Sequence, residues 1–322
     1  MLRATFQLRP AGNIDVLAPL GGRVVAEDGD TVVLDVPEEN WGANVGLLLT
    51  SLVAGEIMEL RRLTHCRLVG LDVPAGVLPG PAIGASGRIE VGAIVKPPLG
   101  VSPDEVADIV RAAVAGGATF VKDDETLGDP PWCPLPARVT AVAQALEPGV
   151  VYCPNVTGGG SSLVARARTV VGLGATGVLV NPFGQGLGGV VELREAGLGV
   201  PVFAHRAGSG PSARNPDFGP TGAVLARVLR LCGADYVIAG GFGGTLFEAD
   251  DEVRANLAAI REPSGGERPA VAVLGGGLGP ADVPAQVAAA GGDGLLVLLG
   301  SRAYAHPGGL EAAVRRAVES LR

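Results

Sequence analysis

The sequence predicts an α/β fold: a C-terminal (β/α)8 TIM barrel preceded by a small N-terminal α+β unit of ferredoxin-like type. Eight short apolar runs follow one another from Arg88 onward, and each is succeeded by a segment with helical spacing. Continuous apolar runs mark strands buried on both faces, as in a parallel sheet. Eight such units in about 235 residues is the length of a (β/α)8 barrel. The 51 glycines are too many for a helix bundle and point to tight loops beside backbone-bound ligands. An open doubly wound sheet is the alternative, weakened because no GxGxxG turn with a downstream acid opens the series.

Residues 1–74 are mixed in character. ATFQLRP, GRVVAED and TVVLDVP read as short strands, with a hairpin turn at Asp28-Gly29-Asp30. Apolar residues at helical spacing predict a helix from Asn44 to Leu63, and CRLVGLDVP returns as a strand. The uncharged, Gly/Pro/Ala-rich stretch AGVLPGPAIGASG reads as a linker, which places the small unit in residues 1–87 and the barrel in 88–322.

The barrel strands are VGAIVKP, ATFVKDD, VVYCPNV, GVLVNPF, VPVFAHR, DYVIAGG, AVAVLGG and LLVLLGS. The intervening helices include PDEVADIVRAAVAGG, PARVTAVAQALE and TGAVLARVLRLCG. The helix after the fourth strand, around VVELREAG, is short.

Hydrophobic residues make up 47% and charged residues 18%, which supports a sizeable core and speaks against disorder. The net charge of −8, without a basic run, argues against nucleic acid or an anionic membrane as partner. No apolar run approaches transmembrane length and no signal-peptide pattern opens the chain, so a cytoplasmic location is expected. Cys66, Cys133, Cys153 and Cys232 show no zinc or CxxC spacing and read as reduced fillers.

Active sites on this fold lie where strands end. In order, those ends carry Lys96, then Lys122, Asp124 and Glu125, Asn155, Asn181, His205 and Arg206, Gly240–Gly244, Gly275–Gly277, and Gly300 with Ser301. Alone, a K-x-D-E string reads as a solvated loop. Converging with the other strand ends, it reads as a site for Mg²⁺, because Asp and Glu are hard oxygen ligands. Lys122 is then a counter-ion or, once carbamylated by CO₂, a third oxygen ligand, and residues two apart on a strand would set Lys122 and Asp124 on one face. Lys96 near a metal suits acid–base work, or else it snorkels to solvent. His205 suits proton transfer and Arg206 a phosphate or carboxylate, unless the two form a structural pair. The glycines ending the last two strands suit a phosphate cradle, or else ordinary turns. His65 and His306 read as structural, and Trp41 and Trp132 as walls of the mouth.

GAIVKPPLGVS, GGATFVKDDE, PVFAHRA, HPGG and WGANVGLLLTSLVAG, in this order, resemble motifs of the RuBisCO large subunit and especially of RuBisCO-like proteins. The resemblance spans roughly residues 32–322. It implies a Mg²⁺ site with a carbamate on Lys122 and Asp124 and Glu125 as further ligands, and Lys96 as the principal proton-transfer residue. It also implies substrate contacts from His205 and Arg206, phosphate binding by Gly276, Gly277, Gly300 and Ser301, and Asn44 reaching the partner subunit's site in a homodimer.

Departures from the family pattern narrow the activity. Pro98, Ile238, Thr245 and Gly275 stand where the pattern has a lysine, a histidine, the mobile-loop lysine and a serine. Without that loop lysine a carboxylase cannot hold CO₂. Asn44 stands where the methionine-salvage enolases carry a base lysine. The expectation is a Mg²⁺-dependent enolisation, isomerisation or decarboxylation of a ketose or sugar acid with at most one phosphate. The rivals are a catalytically silent binding or regulatory protein on the same barrel, and an unrelated phosphate-binding barrel.

Overall fold

The computed structural model describes residues 1–37, 39, 45–85, 87–159, 162–262 and 268–322. Asn44 and Trp41, named above, lie outside them.

Strict alternation buries Leu2, Ala4, Phe6 and Leu8 on one face of strand β1 (Leu2–Arg9), the period-2 signature of a half-buried strand. It pairs antiparallel with β3 (Thr31–Val36) and β4 (His65–Asp72), and β3 pairs with β2 (Arg23–Asp28). The β2–β3 hairpin turns at Gly29, whose φ of +61° suits glycine. Arg3 and Asp35 face each other across β1 and β3 and bond bidentately at 2.6 and 2.8 Å. The order β4-β1-β3-β2 is that of a ferredoxin-like sheet, with helix α1 (Val45–Ala54) between β3 and β4.

The helix expected to reach Leu63 stops earlier. Gly55 takes extended dihedrals, a Cβ there would collide with the Ser51 carbonyl, and a 3₁₀ turn, Glu56–Glu59, follows.

The barrel begins with β5 (Ile89–Ile94), α2 (Pro103–Ala115), β6 (Phe120–Lys122), α3 (Leu135–Ala143), β7 (Val151–Cys153) and α4 (Leu163–Gly172). It continues with β8 (Val178–Val180), α5 (Pro182–Gln185), α6 (Leu187–Glu195), β9 (Val202–Ala204) and α7 (Gly210–Ala213). After β10 (Phe218–Pro220) come α8 (Gly222–Leu231), β11 (Tyr236–Gly240), α9 (Asp250–Arg261) and β12 (Val271–Leu274). The chain ends with α10 (Val283–Ala290), β13 (Leu295–Leu299), α11 (Ser301–Tyr304) and α12 (Gly309–Glu319).

Helix α2 shows why these segments are helical. Ser102 and Glu105 form a capping box, Pro103 occupies the first turn, and Val106, Val110, Ala113 and Val114 bury one face.

All eight expected strands form one parallel sheet in the order β7-β6-β5-β13-β12-β11-β9-β8. The remaining seam, β7 to β8, is bridged past the end of β7: Leu179 N–H donates to Pro154 O and Val156 N–H to Leu179 O, both at 2.9 Å. The barrel is thereby closed.

β10 was not anticipated. Although it lies between barrel strands β9 and β11 in sequence, it pairs parallel to β4 and extends the other sheet. Arg67 on β4 holds the approach to it, donating to the carbonyls of Ser212, Asn215 and Phe218.

Strand alternation sends Phe120 and Lys122 into the barrel and Val121 and Asp123 outward. Inside, Phe120, Phe203 and Tyr236 pack with ring centroids 4.7–6.2 Å apart, Phe203 stacked on Tyr236 and Phe120 tilted against both, and form a floor. Among the described residues no helix is long and apolar enough to cross a membrane.

Candidate active site

Lys122 ends β6 inside the barrel, wholly buried, with Nζ 5.8 Å above the Phe203 ring. Nζ donates to Asp123 O at 2.9 Å and lies 3.4 Å from Glu125 Oε2. Burial pushes its pKa down, and the neighbouring carboxylates of Glu125 and Asp124 only partly oppose that. His205 follows β9 and sets Nε2 3.4 Å from the same Glu125 oxygen. Burial, reinforced by the Lys122 charge, holds its pKa well below the usual histidine value, so the imidazole is neutral.

The strand-face argument for Lys122 and Asp124 needs correcting, because β6 ends at Lys122 and a turn starts at Asp124. Leu127 N–H donates to Asp124 O at 3.0 Å, while Thr126 donates to Oδ1 from N at 3.0 Å and from Oγ1 at 2.6 Å. The other oxygen, Oδ2, is ion-paired with Lys96 Nζ. Burial opposes ionisation of Asp124, but Lys96 and Thr126 outweigh it and lower the pKa. The Lys96 backbone is fixed by Tyr304, which accepts from Lys96 N at 3.2 Å and donates to Ile94 O at 2.6 Å.

Behind this segment lies a network that sequence reading missed. Asp123 points outward, wholly buried. It accepts from Arg138 Nε at 3.0 Å, Tyr152 Oη at 2.8 Å and Asn155 N at 3.0 Å. Asn155 Nδ2 in turn donates to Glu125 O at 2.9 Å. The one available signal was Arg138, a lone arginine in the apolar spacing of α3. Asn155 therefore holds the backbone of the acidic segment, and Asn181 caps α5 through Phe183 N–H.

One cavity of about 500 Å³ takes in Lys96, Lys122, Glu125, His205, Arg206, Gly276, Gly277, Gly300 and Ser301. Asp124 sits just behind Lys96. Ile238, Thr245 and Gly275 also line this space. Trp132 is exposed and is not part of the wall, contrary to expectation. Thr245 donates its hydroxyl to Gly276 O at 3.0 Å, and Cβ atoms built on Gly276 and Gly277 would meet Leu246 and Thr245. The 245–248 segment is thus laid across the glycines. Arg206 is ion-paired with Glu248, an acid sequence reading passed over. His65 pairs with Asp217 at 3.3 Å, in line with its structural reading.

The donor set fits a hard divalent cation. Two carboxylates and the buried Lys122 amine, whose pKa burial pushes down, lie within one turn of chain. Among the described residues no three His, Cys, Asp or Glu side chains gather in reach of one ion.

Residues 81–322 match the family model described as the ribulose bisphosphate carboxylase large chain, catalytic domain. A 3-oxo-isoapionate-4-phosphate transcarboxylase/hydrolase of Xanthobacter autotrophicus is 32% identical, over 86% of this chain and 72% of that protein. A 5-methylthioribulose-1-phosphate isomerase of Rhodospirillum rubrum is 32% identical, over 85% of this chain and 76% of its own length. The crystal structure of a rubisco-like protein from Burkholderia fungorum shares the fold, with a TM-score of 0.87 at 24% identity over 99% of this chain and 93% of that one.

Proposed function

The chain belongs to the RuBisCO large-chain family as a RuBisCO-like protein, and on that premise we propose that it is a Mg²⁺-dependent enzyme of enolase, isomerase or decarboxylase type. Its substrate is a ketose or sugar acid with at most one phosphate, and CO₂ fixation is not its reaction. The convergence of Lys96, Lys122, Glu125 and His205 on one cavity carries this reading. The two relatives support it, since each name specifies a substrate with one phosphate.

Carbamylated Lys122, Asp124 and Glu125 would hold the metal, which when bound supplies Lewis-acid polarisation of substrate oxygens. Lys96 Nζ lines the cavity and is paired with Asp124 Oδ2; once Asp124 turns to the metal, Lys96 in its neutral form would take the proton next to the carbonyl. Neutral His205, whose Nδ1 accepts from Ala207 N–H at 3.1 Å, carries its proton on Nε2 and can give it up there. The N–H groups of Gly276 and Gly277 find no acceptor among the described residues and are free for the single phosphate, together with Gly300 and Ser301. The aromatic floor keeps water from below. Thr245, its hydroxyl bonded to the Gly276 carbonyl, offers no cation to an incoming CO₂.

The deciding experiment is a screen of singly phosphorylated ketoses and 3-oxo acids for Mg²⁺-dependent α-proton exchange in D₂O. Exchange is expected with at least one of them. Fixation of CO₂ on ribulose bisphosphate would refute the reading.

A further inference from the structure

We propose that Glu248 is a specificity-determining residue: it neutralises Arg206 from within the protein, so that this side of the cavity receives an uncharged substrate end and disfavours a second phosphate. The proposal rests on the cavity being the substrate site, but its test needs no turnover.

Arg206 reaches the cavity wall with its side chain 12% exposed, while its partner Glu248 is only 2% exposed and stands behind it. A guanidinium facing a cavity alone would be a bidentate anion receptor. Paired, it presents no net charge. Glu248 is tied to Arg206 by charge alone: among the described residues neither carboxylate oxygen receives an aligned hydrogen bond. Leaving Arg206 would strand a buried carboxylate, the costly half of a broken ion pair.

The backbone at Gly240, with φ +117°, runs beside the pair: a Cβ there would be in ordinary contact with Arg206 Nη2 and Glu248 Cδ, both at 3.7 Å. The neighbouring wall is apolar, formed by Ile238, Leu246 and Phe247. A hydroxyl, carbonyl or alkyl end fits there. A phosphate would meet a neutralised arginine and no second cation on that wall.

Glu248→Gln keeps the shape and removes the charge. Calorimetric titration of inorganic phosphate into wild type, Glu248→Gln and the double variant Arg206→Met/Glu248→Gln tests the assignment. Glu248→Gln should bind phosphate about tenfold more tightly than wild type, as expected when one charge of a close pair is released. The double variant should lose that gain. Glu248→Ala provides the same comparison where Gln perturbs folding, judged by the melting curve. Equal phosphate affinity in wild type and in both single variants would overturn the proposal, as would a gain that survives removal of Arg206. A gain without Mg²⁺-dependent proton exchange in any variant would sink the proposed chemistry and leave this inference standing.

Discussion

Asp123 and Arg138 form an ion pair 3.0 Å apart, Oδ2 to Nε, with neither side chain reaching solvent. The pair lies outside the barrel, yet Asp123 is the covalent link between Lys122 and Asp124. Removing one partner leaves a buried charge uncompensated, at a cost of ~3–5 kcal/mol. Arg138→Met should therefore lower the urea-unfolding free energy by that order. Tyr152→Phe should cost ~1.5–3 kcal/mol, since only a hydrogen bond to the carboxylate is lost. Wild-type stability in Arg138→Met would contradict the role given to the network.

Lys122 is the residue on which CO₂ would bind. With ¹³C-labelled bicarbonate and Mg²⁺, the wild-type protein should show a carbamate carbon signal that is absent from Lys122→Arg. Lys122→Ala should lose Mg²⁺-dependent turnover. A labelled carbamate persisting in Lys122→Arg would move the modification elsewhere.

Burial raises the Cys66 and Cys232 thiols to about 12. An unfolded cysteine ionises near ~8.5. Below that value both states keep the proton and the thiols add no pH dependence. Between the two values the folded chain binds more protons than the unfolded one, so stability falls as pH rises. The urea midpoint should drop from pH 7.5 to 9.5, and a thiol reagent should label the native protein only slowly at pH 8 and the denatured protein fully.

Gly276 adopts φ +111°, and a Cβ there would stand 2.8 Å from Leu246 Cγ. Gly276→Ala combines backbone strain of ~1–3 kcal/mol with displacement of the 245–248 segment. Its melting temperature should fall, and affinity for a singly phosphorylated ligand should fall with it. Unchanged phosphate binding would separate these glycines from the cradle.

Asn44 is assigned to the partner subunit's site from sequence resemblance. If the site is shared in a homodimer, inactive Asn44→Ala and Lys122→Ala proteins should regain activity when mixed and reassembled. Absence of rescue in demonstrably mixed dimers would place both residues in one subunit's site.

The eight barrel strands were legible because each is a run of apolar residues buried on both sides, a pattern that survives loss of context. Lys122 and Glu125 were legible because charges at the end of such runs are unusual. The geometry of Asp124 was not, since β6 is only three residues long and the turn at Thr126 overrides alternation. Arg138 and Glu248 were missed for a common reason. A charged residue reads as exposed until its partner is known, and each partner is distant in sequence. β10 was hidden because Phe-Gly-Pro has no strand signature of its own, and its pairing depends on β4.

That three-residue strand limits the portability of the barrel. Cutting the chain at the glycine- and proline-rich stretch after β4 would look like a clean separation, yet it would leave Phe218–Pro220 and the Arg67-bound loop without the edge they rest on. An orphaned strand edge is a template for association with other chains. Grafting, truncation or swapping of the N-terminal sheet therefore has to carry a matching edge with it, and the two sheets are inherited as a pair.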